Sequence, residues 1–160
     1  MDSATTFVKS EVFARTFQEG MALVEETANY LDGEGRETSR DLNRETALAY
    51  AGISMRLTTQ LMQIASWLLV LRAVREGEMS VNEAMEDKYR LKLPEAPNAD
   101  LLDGGLPIEL LGLVENANQL FTRIVRLDTD LFVENAGKAR ENENDAAGQL
   151  RALQKAFGQN

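Results

Sequence analysis

The sequence predicts an all-α fold: an antiparallel three-helix bundle with one short extra helix, a long loop and a flexible C-terminal tail. Three long segments repeat apolar residues every three or four positions, which is typical of helices that bury one face. Glycine and proline interrupt this pattern at a few places only, and these mark the helix ends. We expect a bundle domain over 1–135, with helices about 5–31, 43–76, 80–89 and 107–135 and a loop 91–105, then a disordered tail over 136–160 that contains a short helix 149–157.

The first predicted helix carries a single apolar stripe. Its members recur at helical spacing: Phe13, Phe17, Met21, Val24, Ala28 and Leu31. Gly33 and Gly35 follow directly, and glycine readily adopts the left-handed conformation found at helix C-termini. We therefore end the helix there and expect a polar loop as far as Leu42.

The second predicted helix begins at Asn43, a favourable N-cap residue, and ends at Gly77. Unlike the first helix, it has two apolar stripes. The first stripe comprises Leu48, Met55, Thr59, Met62, Ser66, Leu69 and Ala73. The second stripe comprises Tyr50, Ile53, Leu57, Leu61, Ile64, Leu68 and Leu71, widened by Trp67 and Val74.

Two apolar stripes are more than one helix of a small bundle needs. Either this helix is central to the bundle, or its additional face meets another subunit. We expect a homodimer whose interface is formed by part of the second stripe: Leu61, Ile64, Trp67, Leu68 and Leu71.

The segment after the second helix combines a short helix with a long loop. Ser80 and Glu83 form a capping box that opens the short helix. Pro94 and Pro97 then exclude a helix, and a loop of this length in a compact domain is commonly functional or disordered. Its leucines either cap the end of the bundle or form a docking segment for a partner: Leu91, Leu93, Leu101 and Leu102.

The last part of the chain follows the third predicted helix, which begins at Pro107. Residues 137–147 are rich in charged and amide side chains and lack large apolar ones, the composition of a disordered linker. Leu150, Leu153 and Phe157 then recur at helical spacing, which resembles a helix that binds in a partner's groove. The alternatives are a segment that folds back on its own bundle and a disordered end.

The composition excludes most kinds of catalytic and ligand-binding site. The 160 residues include no cysteine and no histidine, so triads with a His base and Cys or His metal sites cannot form. The 17 Lys and Arg residues against 26 Asp and Glu residues give a net charge of −9, which disfavours binding to nucleic acid. We expect no catalytic residue, no cofactor and no metal. The uncharged run from Leu57 to Leu71 is too short to span a membrane, and we expect a cytoplasmic protein.

Several segments resemble one family of short bacterial helical proteins. The central segment, Arg56 to Glu78, reads RLTTQLMQIASWLLVLRAVREGE. Flanking segments read EVFARTFQEGMALVEETANYLDGEGR from Glu11 to Arg36, LNRETALAYAGISM from Leu42 to Met55, and LQKAFG from Leu153 to Gly158. These segments resemble the regulator of CtrA degradation (RcdA) family, and the resemblance covers nearly the whole chain.

The resemblance implies a function that the residues alone do not. It implies a non-enzymatic adaptor that delivers cell-cycle regulators such as CtrA to the ClpXP protease. It also implies a homodimeric helical bundle whose partners are the ClpX unfoldase, a CpdR-type priming adaptor, a PopA-type adaptor and protein substrates. Transient recruitment to a cell pole is implied as well.

Two further classes of function stay open from the sequence. One is an enzyme or small-ligand sensor with an anion pocket between helices, lined by Arg56, Arg72 or Arg123. The other is a structural subunit of a larger complex. The flexible tail disfavours this class, because a purely structural subunit does not need a flexible segment.

Overall fold

The structure, a computed structural model, describes residues 3–86, 105–133 and 148–157. No strand occurs in those ranges. The helices are α1 (Ser3–Val8), α2 (Glu11–Asp32), α3 (Glu34–Arg40), α4 (Arg44–Arg75), α5 (Val81–Ala84), α6 (Ile108–Asp128) and α7 (148–157), with a π-helical turn at Thr129–Val133 that continues α6. The prediction of an all-α bundle built on three long helices is confirmed, with α2, α4 and α6 as the long helices.

The first predicted helix, 5–31, is divided into α1 and α2. Ser10 separates them because its side chain supplies the N-cap of α2. The Ser10 hydroxyl accepts a hydrogen bond from the Phe13 amide at 3.3 Å and donates one to the Phe7 carbonyl at 2.6 Å. A serine that satisfies the otherwise unpaired amides of a helix start favours a new helix over a continuous one.

The polar loop expected before Leu42 is instead a helix, and this prediction is wrong. Gly33 ends α2, and α3 begins at the next residue. Gly35 is buried, and a Cβ atom built there would lie 2.5 Å from the Tyr50 hydroxyl and 2.7 Å from a ring atom of Tyr30. The absence of a side chain at Gly35 therefore allows α3 to pack against both tyrosines, which the polar composition does not reveal.

Helix α4 supplies the largest part of the core. Its N-terminus is capped by Asn43, whose side chain accepts a hydrogen bond from the Thr46 amide at 2.9 Å. Gly77 follows the helix end with a positive φ of 76°, a conformation that glycine adopts without strain. Nine α4 residues are buried: Tyr50, Ile53, Leu57, Gln60, Leu61, Ile64, Trp67, Leu68 and Leu71.

The three long helices do not all alternate in direction. Two hydrogen bonds join α4 to α6, from Gln60 to Asn118 at 2.9 Å and from Trp67 to Asp128 at 3.0 Å. Residue numbers rise together along both helices, so α4 and α6 run parallel. Helix α2 runs antiparallel to both, since Gly20 lies against Leu68 whereas Leu31, later in α2, shares a cleft with Thr58, earlier in α4. The antiparallel arrangement expected from the sequence thus holds for α2 but not for the pair of α4 and α6.

This parallel pair explains the length of the connection between α4 and α6. Because α4 and α6 run in the same direction, the chain must return along the bundle before α6 begins. The return starts in the described part of the connection, where Met79 and Val81 pack against the core and Ala84 is buried. The predicted helix 80–89 is described only as α5, and residues 87–104, which include most of the predicted loop, lie outside the described residues.

The third predicted helix, 107–135, begins one residue later, with Pro107 as the N-cap of α6. It ends in the π-helical turn, which buries Leu131 and Phe132. Residues 134–147 lie outside the described residues. Helix α7, over 148–157, has nearly the same bounds as the short helix predicted over 149–157.

Of the described residues, α4 is the one helix long and apolar enough to cross a membrane, with a mean hydropathy of 1.3 over its most apolar stretch. Length and composition alone do not separate a spanning helix from the central helix of a bundle. In this chain Ile64, Leu68 and Leu71 of α4 are buried against the chain's own helices. The apolar character of α4 is therefore accounted for, in part, by the core.

Two glycines inside long helices give a matched test of this packing. A Cβ at Gly20 would lie 2.4 Å from Leu68 Cδ1, a fully buried side chain, whereas a Cβ at Gly112 would meet nothing within 4 Å. Replacing glycine by alanine favours a helix by about 1 kcal/mol, while overpacking a core costs roughly 1–3 kcal/mol. We expect Gly112→Ala to raise the free energy of unfolding and Gly20→Ala to lower it or leave it unchanged. Urea denaturation measures both, and equal stabilisation by the two variants would contradict the close contact of α2 with α4.

Candidate interaction surface

The five residues expected to form a dimer face are placed inside the chain. Their exposed fractions are 0–4% for Leu61, Ile64, Trp67, Leu68 and Leu71. They belong to the core shared by α2, α4 and α6. A side chain already buried in its own chain offers no surface to a second copy, so the assignment of these five residues to a dimer face is corrected. The second stripe of α4 forms the intrachain core.

The first stripe of α4 is the one that the chain leaves uncovered. We use the term heptad stripe for its four large residues, which are 50–72% exposed and recur every seven positions: Leu48, Met55, Met62 and Leu69. At 1.5 Å per residue, the heptad stripe extends over about 32 Å of helix. Apolar residues repeated every seven positions are typical of helices that pack along another helix.

The positions beside the heptad stripe are occupied by small residues. Gly52, Thr59, Ser66 and Ala73 each follow a large residue of the stripe by four positions and therefore share its face. A Cβ at Gly52 would meet nothing within 4 Å. Small side chains between large ones leave space in which the side chains of an approaching helix can be inserted.

Two apolar clefts flank Met62 on this face. One cleft, of about 450 Å³, lies between α4 and the turn that follows it and is lined by Met62, Ala65, Ser66, Leu69, Val70, Ala73 and Met79. The other, of about 150 Å³, lies between α2 and α4 and is lined by Val24, Thr27, Ala28, Leu31, Thr58, Leu61, Met62 and Ala65. Both are open at the surface and predominantly apolar, as expected of a docking site for side chains of a partner.

The heptad stripe is symmetric along the helix. Its centre lies between Thr58 and Thr59, so that Leu48 and Leu69 are equidistant from it, as are Met55 and Met62. Glu45 and Arg72 are also equidistant from this centre. Each lies three residues beyond one end of the stripe, on the same side of the helix. A second α4 laid antiparallel across the first would therefore place like apolar residues together and Glu45 opposite Arg72.

The signal that distinguishes the two stripes was present in the sequence. The buried stripe contains tryptophan, isoleucine and tyrosine, which fill a core, whereas the exposed one interleaves Leu and Met with Gly, Thr, Ser and Ala. Both stripes are apolar at helical spacing, so periodicity alone did not show which one the chain covers. A repeat of seven does not separate them either, because Tyr50, Leu57, Ile64 and Leu71 of the second stripe also recur every seven positions.

The other predicted partner-binding residues fall in two groups. Leu91, Leu93, Leu101 and Leu102 lie outside the described residues. Leu150, Leu153 and Phe157 lie on one face of α7 and are 53–83% exposed. Every residue of α7 is exposed, so in this structure the helix does not fold back on the bundle.

The arginines of the alternative anion pocket do not converge. Arg56 and Arg72 are separated by about 24 Å along α4. The Arg72 guanidinium lies 5.4 Å from the centre of the Phe17 ring, and Arg123 forms an ion pair with Glu19. The geometry therefore gives no support to an arginine-lined pocket, and no group of three or more Asp or Glu in the described ranges could hold a metal ion.

An acidic cleft of about 460 Å³ lies between α2, α3 and α6. Its charged lining residues are Glu26, Glu34 and Glu109, and Tyr30 also lines it. The Tyr30 hydroxyl oxygen is buried and has no hydrogen-bond partner among the described residues. Burial raises the pKa of Tyr30 above its usual value of 10.0, and the nearby Tyr50, Glu109 and Glu34 raise it further.

Comparison with known proteins identifies relatives of this chain. A family model described as a protein of unknown function (DUF1465) matches residues 4–157. The crystal structure of RcdA from Caulobacter crescentus CB15 is similar, with 50% sequence identity and a TM-score of 0.66. The match covers 78% of this chain and 94% of that one. No curated protein matches the chain.

The raised pKa of Tyr30 predicts a loss of stability in alkali. Above pH 10 the tyrosine ionises in the unfolded chain before it does so in the folded one, so the free energy of unfolding falls as pH rises. Tyr30→Phe removes this contribution and also removes an unpartnered hydroxyl. We expect the variant to be as stable as the parent at pH 7, or more stable by up to about 1 kcal/mol, and to lose less stability between pH 9 and about 11. Urea denaturation across this range measures the difference, and parallel losses in both proteins would contradict the burial of the hydroxyl.

Proposed function

The chain belongs to the RcdA family, and from that premise we propose that it is a non-enzymatic adaptor that tethers protein substrates to the ClpXP protease for regulated proteolysis. The observation that supports this most is the 50% identity with RcdA across 94% of that chain. The proposed partners are the ClpX unfoldase, a CpdR-type priming adaptor, a PopA-type adaptor and cell-cycle regulators such as CtrA. A cytoplasmic location with transient recruitment to a cell pole belongs to the same proposal.

The physical basis of the proposed function is tethering. An adaptor that binds a client and an unfoldase at the same time converts their encounter into an intramolecular step and raises their effective concentration. Such a protein needs two separate binding elements and no reactive group. The apolar face of α7 is an exposed element of this kind, a dimer carries it twice, and the chain has neither cysteine nor histidine.

The proposal includes a homodimer in which the heptad stripes of two chains pack antiparallel. An exposed apolar strip about 32 Å long is a liability for a single chain unless another surface covers it. The symmetry of the stripe about the point between Thr58 and Thr59 suits an interface in which both copies use the same patch. A parallel pair would instead place Arg72 beside the partner's Arg72 and Glu45 beside the partner's Glu45.

A charged side chain introduced near the centre of the heptad stripe tests whether the stripe forms the dimer interface. Met62→Glu introduces a carboxylate at a position that is 68% exposed in the single chain, so we expect no effect on folding. In an apolar interface the same carboxylate loses its hydration, and we expect the dissociation constant of the dimer to rise at least tenfold. Ile108→Glu, on an apolar residue outside the stripe that is 83% exposed, is the matched control. Light scattering with size-exclusion chromatography measures the mass of each, and a Met62→Glu dimer as stable as the parent would contradict the interface.

Charge reversal tests the antiparallel direction. Glu45→Arg alone places two like charges at each end of the antiparallel pair, as does Arg72→Glu alone. The double variant restores opposite charges with their order exchanged. We expect each single change to weaken the dimer and the double variant to recover most of the loss, as measured by sedimentation equilibrium at low salt. Additive losses in the double variant would contradict the pairing of these two positions.

The adaptor function is tested by reconstituted proteolysis. ClpXP, ATP, the unphosphorylated priming partner and CtrA are mixed with and without the full-length protein, and client loss is followed in time. We expect faster loss only in the presence of the protein, and a return to the basal rate when the chain ends before α7. Leu150→Asp with Leu153→Asp is the matched variant that keeps the chain length. No acceleration by the intact protein would contradict the proposed function, and full acceleration without α7 would contradict the role of α7.

A further inference from the structure

The chain contains two exposed apolar elements that suit each other. One is a cleft of the kind that holds an amphipathic helix, and the other is a short amphipathic helix. The larger apolar cleft on α4, of about 450 Å³, lies between the C-terminal half of the heptad stripe and Met79. We call it the α4 groove. Helix α7 presents a narrow apolar face and is exposed along its whole length. In the described part of the chain, neither element is covered by another.

We infer that α7 docks into the α4 groove of its own chain, so that the C-terminal tail has a docked and an undocked state. The structure contains the undocked state. The inference rests on the proposed function, because docking has a functional consequence only if α7 is the element that binds a partner.

The shapes of the two elements agree. Leu150, Leu153 and Phe157 follow the spacing of an amphipathic helix that binds in a groove. The α4 groove is lined by small residues, among them Ala65, Ser66 and Ala73, together with large apolar ones. Small residues beside large apolar ones leave space for the large side chains of a docked helix.

Helix α7 is basic, and the C-terminal end of α4 carries charges of both signs. Helix α7 carries Arg151 and Lys155, one turn apart, and no acidic residue, in a chain whose net charge is −9. The next heptad position after Leu69 is Glu76, which is exposed just beyond the C-terminus of α4. The negative end of the α4 dipole lies there too. Glu76 and the helix dipole attract a basic helix at this end, whereas Arg72 and Arg75 in the last turn of α4 oppose it. Apolar contact rather than charge therefore drives the docking.

The tail is long enough to reach the groove. The hydrogen bond between Trp67 and Asp128 holds the end of α6 at the level of the α4 groove. Residues 134–147 separate the π-helical turn from α7, and 14 residues span at most about 46 Å. A helix is about 10–12 Å in diameter, so the path around α4 to its exposed face is well within this reach. Linkage through so short a segment gives an effective concentration on the order of millimolar.

Docking in cis couples the tail to the state of the heptad stripe. Met62 and Leu69 line the α4 groove and also belong to the stripe proposed as the dimer interface. A docked α7 and a second chain therefore compete for the same two side chains. When another chain covers Met62 and Leu69, α7 is released and can bind a partner. When α7 is docked, its apolar face is buried in the α4 groove and cannot bind a partner.

The absence of cysteine from the chain allows a direct test by disulfide formation. Ser66→Cys, in the lining of the α4 groove, is combined with Gln154→Cys, beside the apolar face of α7. The control pair combines Gln154→Cys with Thr122→Cys, which is exposed on α6 and also near the origin of the tail. The full-length proteins are oxidised under mild conditions at several dilutions. Mass and mobility then distinguish a disulfide within one chain from one between chains.

In dilute protein, where the single chain predominates, we expect the Ser66 pair to form an intrachain disulfide at least ten times faster than the Thr122 pair. The rate should fall at concentrations at which a second chain covers the α4 groove. Phe157→Asp changes a residue that is 83% exposed and does not threaten the fold, and it should slow the Ser66 pair to the rate of the control. Equal rates for the two pairs would overturn the inference. A fast reaction that yields only linked dimers would also overturn it, because α7 would then dock on another chain.

The same preparations separate this inference from the proposed function. The parent protein and Phe157→Asp are added to the reconstituted proteolysis described above. Acceleration by the parent together with equal crosslinking rates would overturn the docking and leave the adaptor function standing. Fast intrachain crosslinking without acceleration of proteolysis would overturn the adaptor function and leave the docking standing.

Discussion

The structure depends on one constraint: α4 has more apolar surface than its own chain covers. Its second stripe, with Trp67, Ile64 and Leu68 at its centre, is buried by α2 and α6 and holds the bundle together. Its first stripe remains at the surface along about 32 Å of helix. Exposed apolar strips of this kind mark sites of association. The core and the candidate interaction surface are thus opposite faces of one helix, and a change in α4 affects stability or association according to its face.

The direction of the helices follows from how α4 is buried. Helix α2 crosses back along α4, and Gly20 permits their close contact at Leu68. Helix α6 runs parallel to α4 and is joined to it by the hydrogen bond from Trp67 to the buried Asp128. This arrangement requires the chain to return along the bundle between α4 and α6. The length of that connection therefore has a topological cause, which is independent of any role in binding a partner.

The sequence predicted the parts of the fold that local physics determines. Asn43 and Ser80 cap the helices that they were expected to cap, and helical periodicity located the three long helices. It did not predict α3, because the packing of Tyr30 and Tyr50 over Gly35 depends on tertiary contact. It did not predict the direction of α6, which depends on the course of a connection. It also assigned the core face of α4 to a dimer, because apolar periodicity does not show which face the chain itself buries.

We expect another chain to cover the heptad stripe in solution, as the proposed dimer requires. Met55 tests it most directly, because it is 72% exposed in the single chain and lies outside the α4 groove. Its oxidation by hydrogen peroxide is followed by mass spectrometry over a series of dilutions, with the half-buried Met21 as the internal reference. We expect Met55 to be protected at high protein concentration and to become several times more reactive than Met21 on dilution. Equally rapid oxidation of Met55 at every concentration would contradict it.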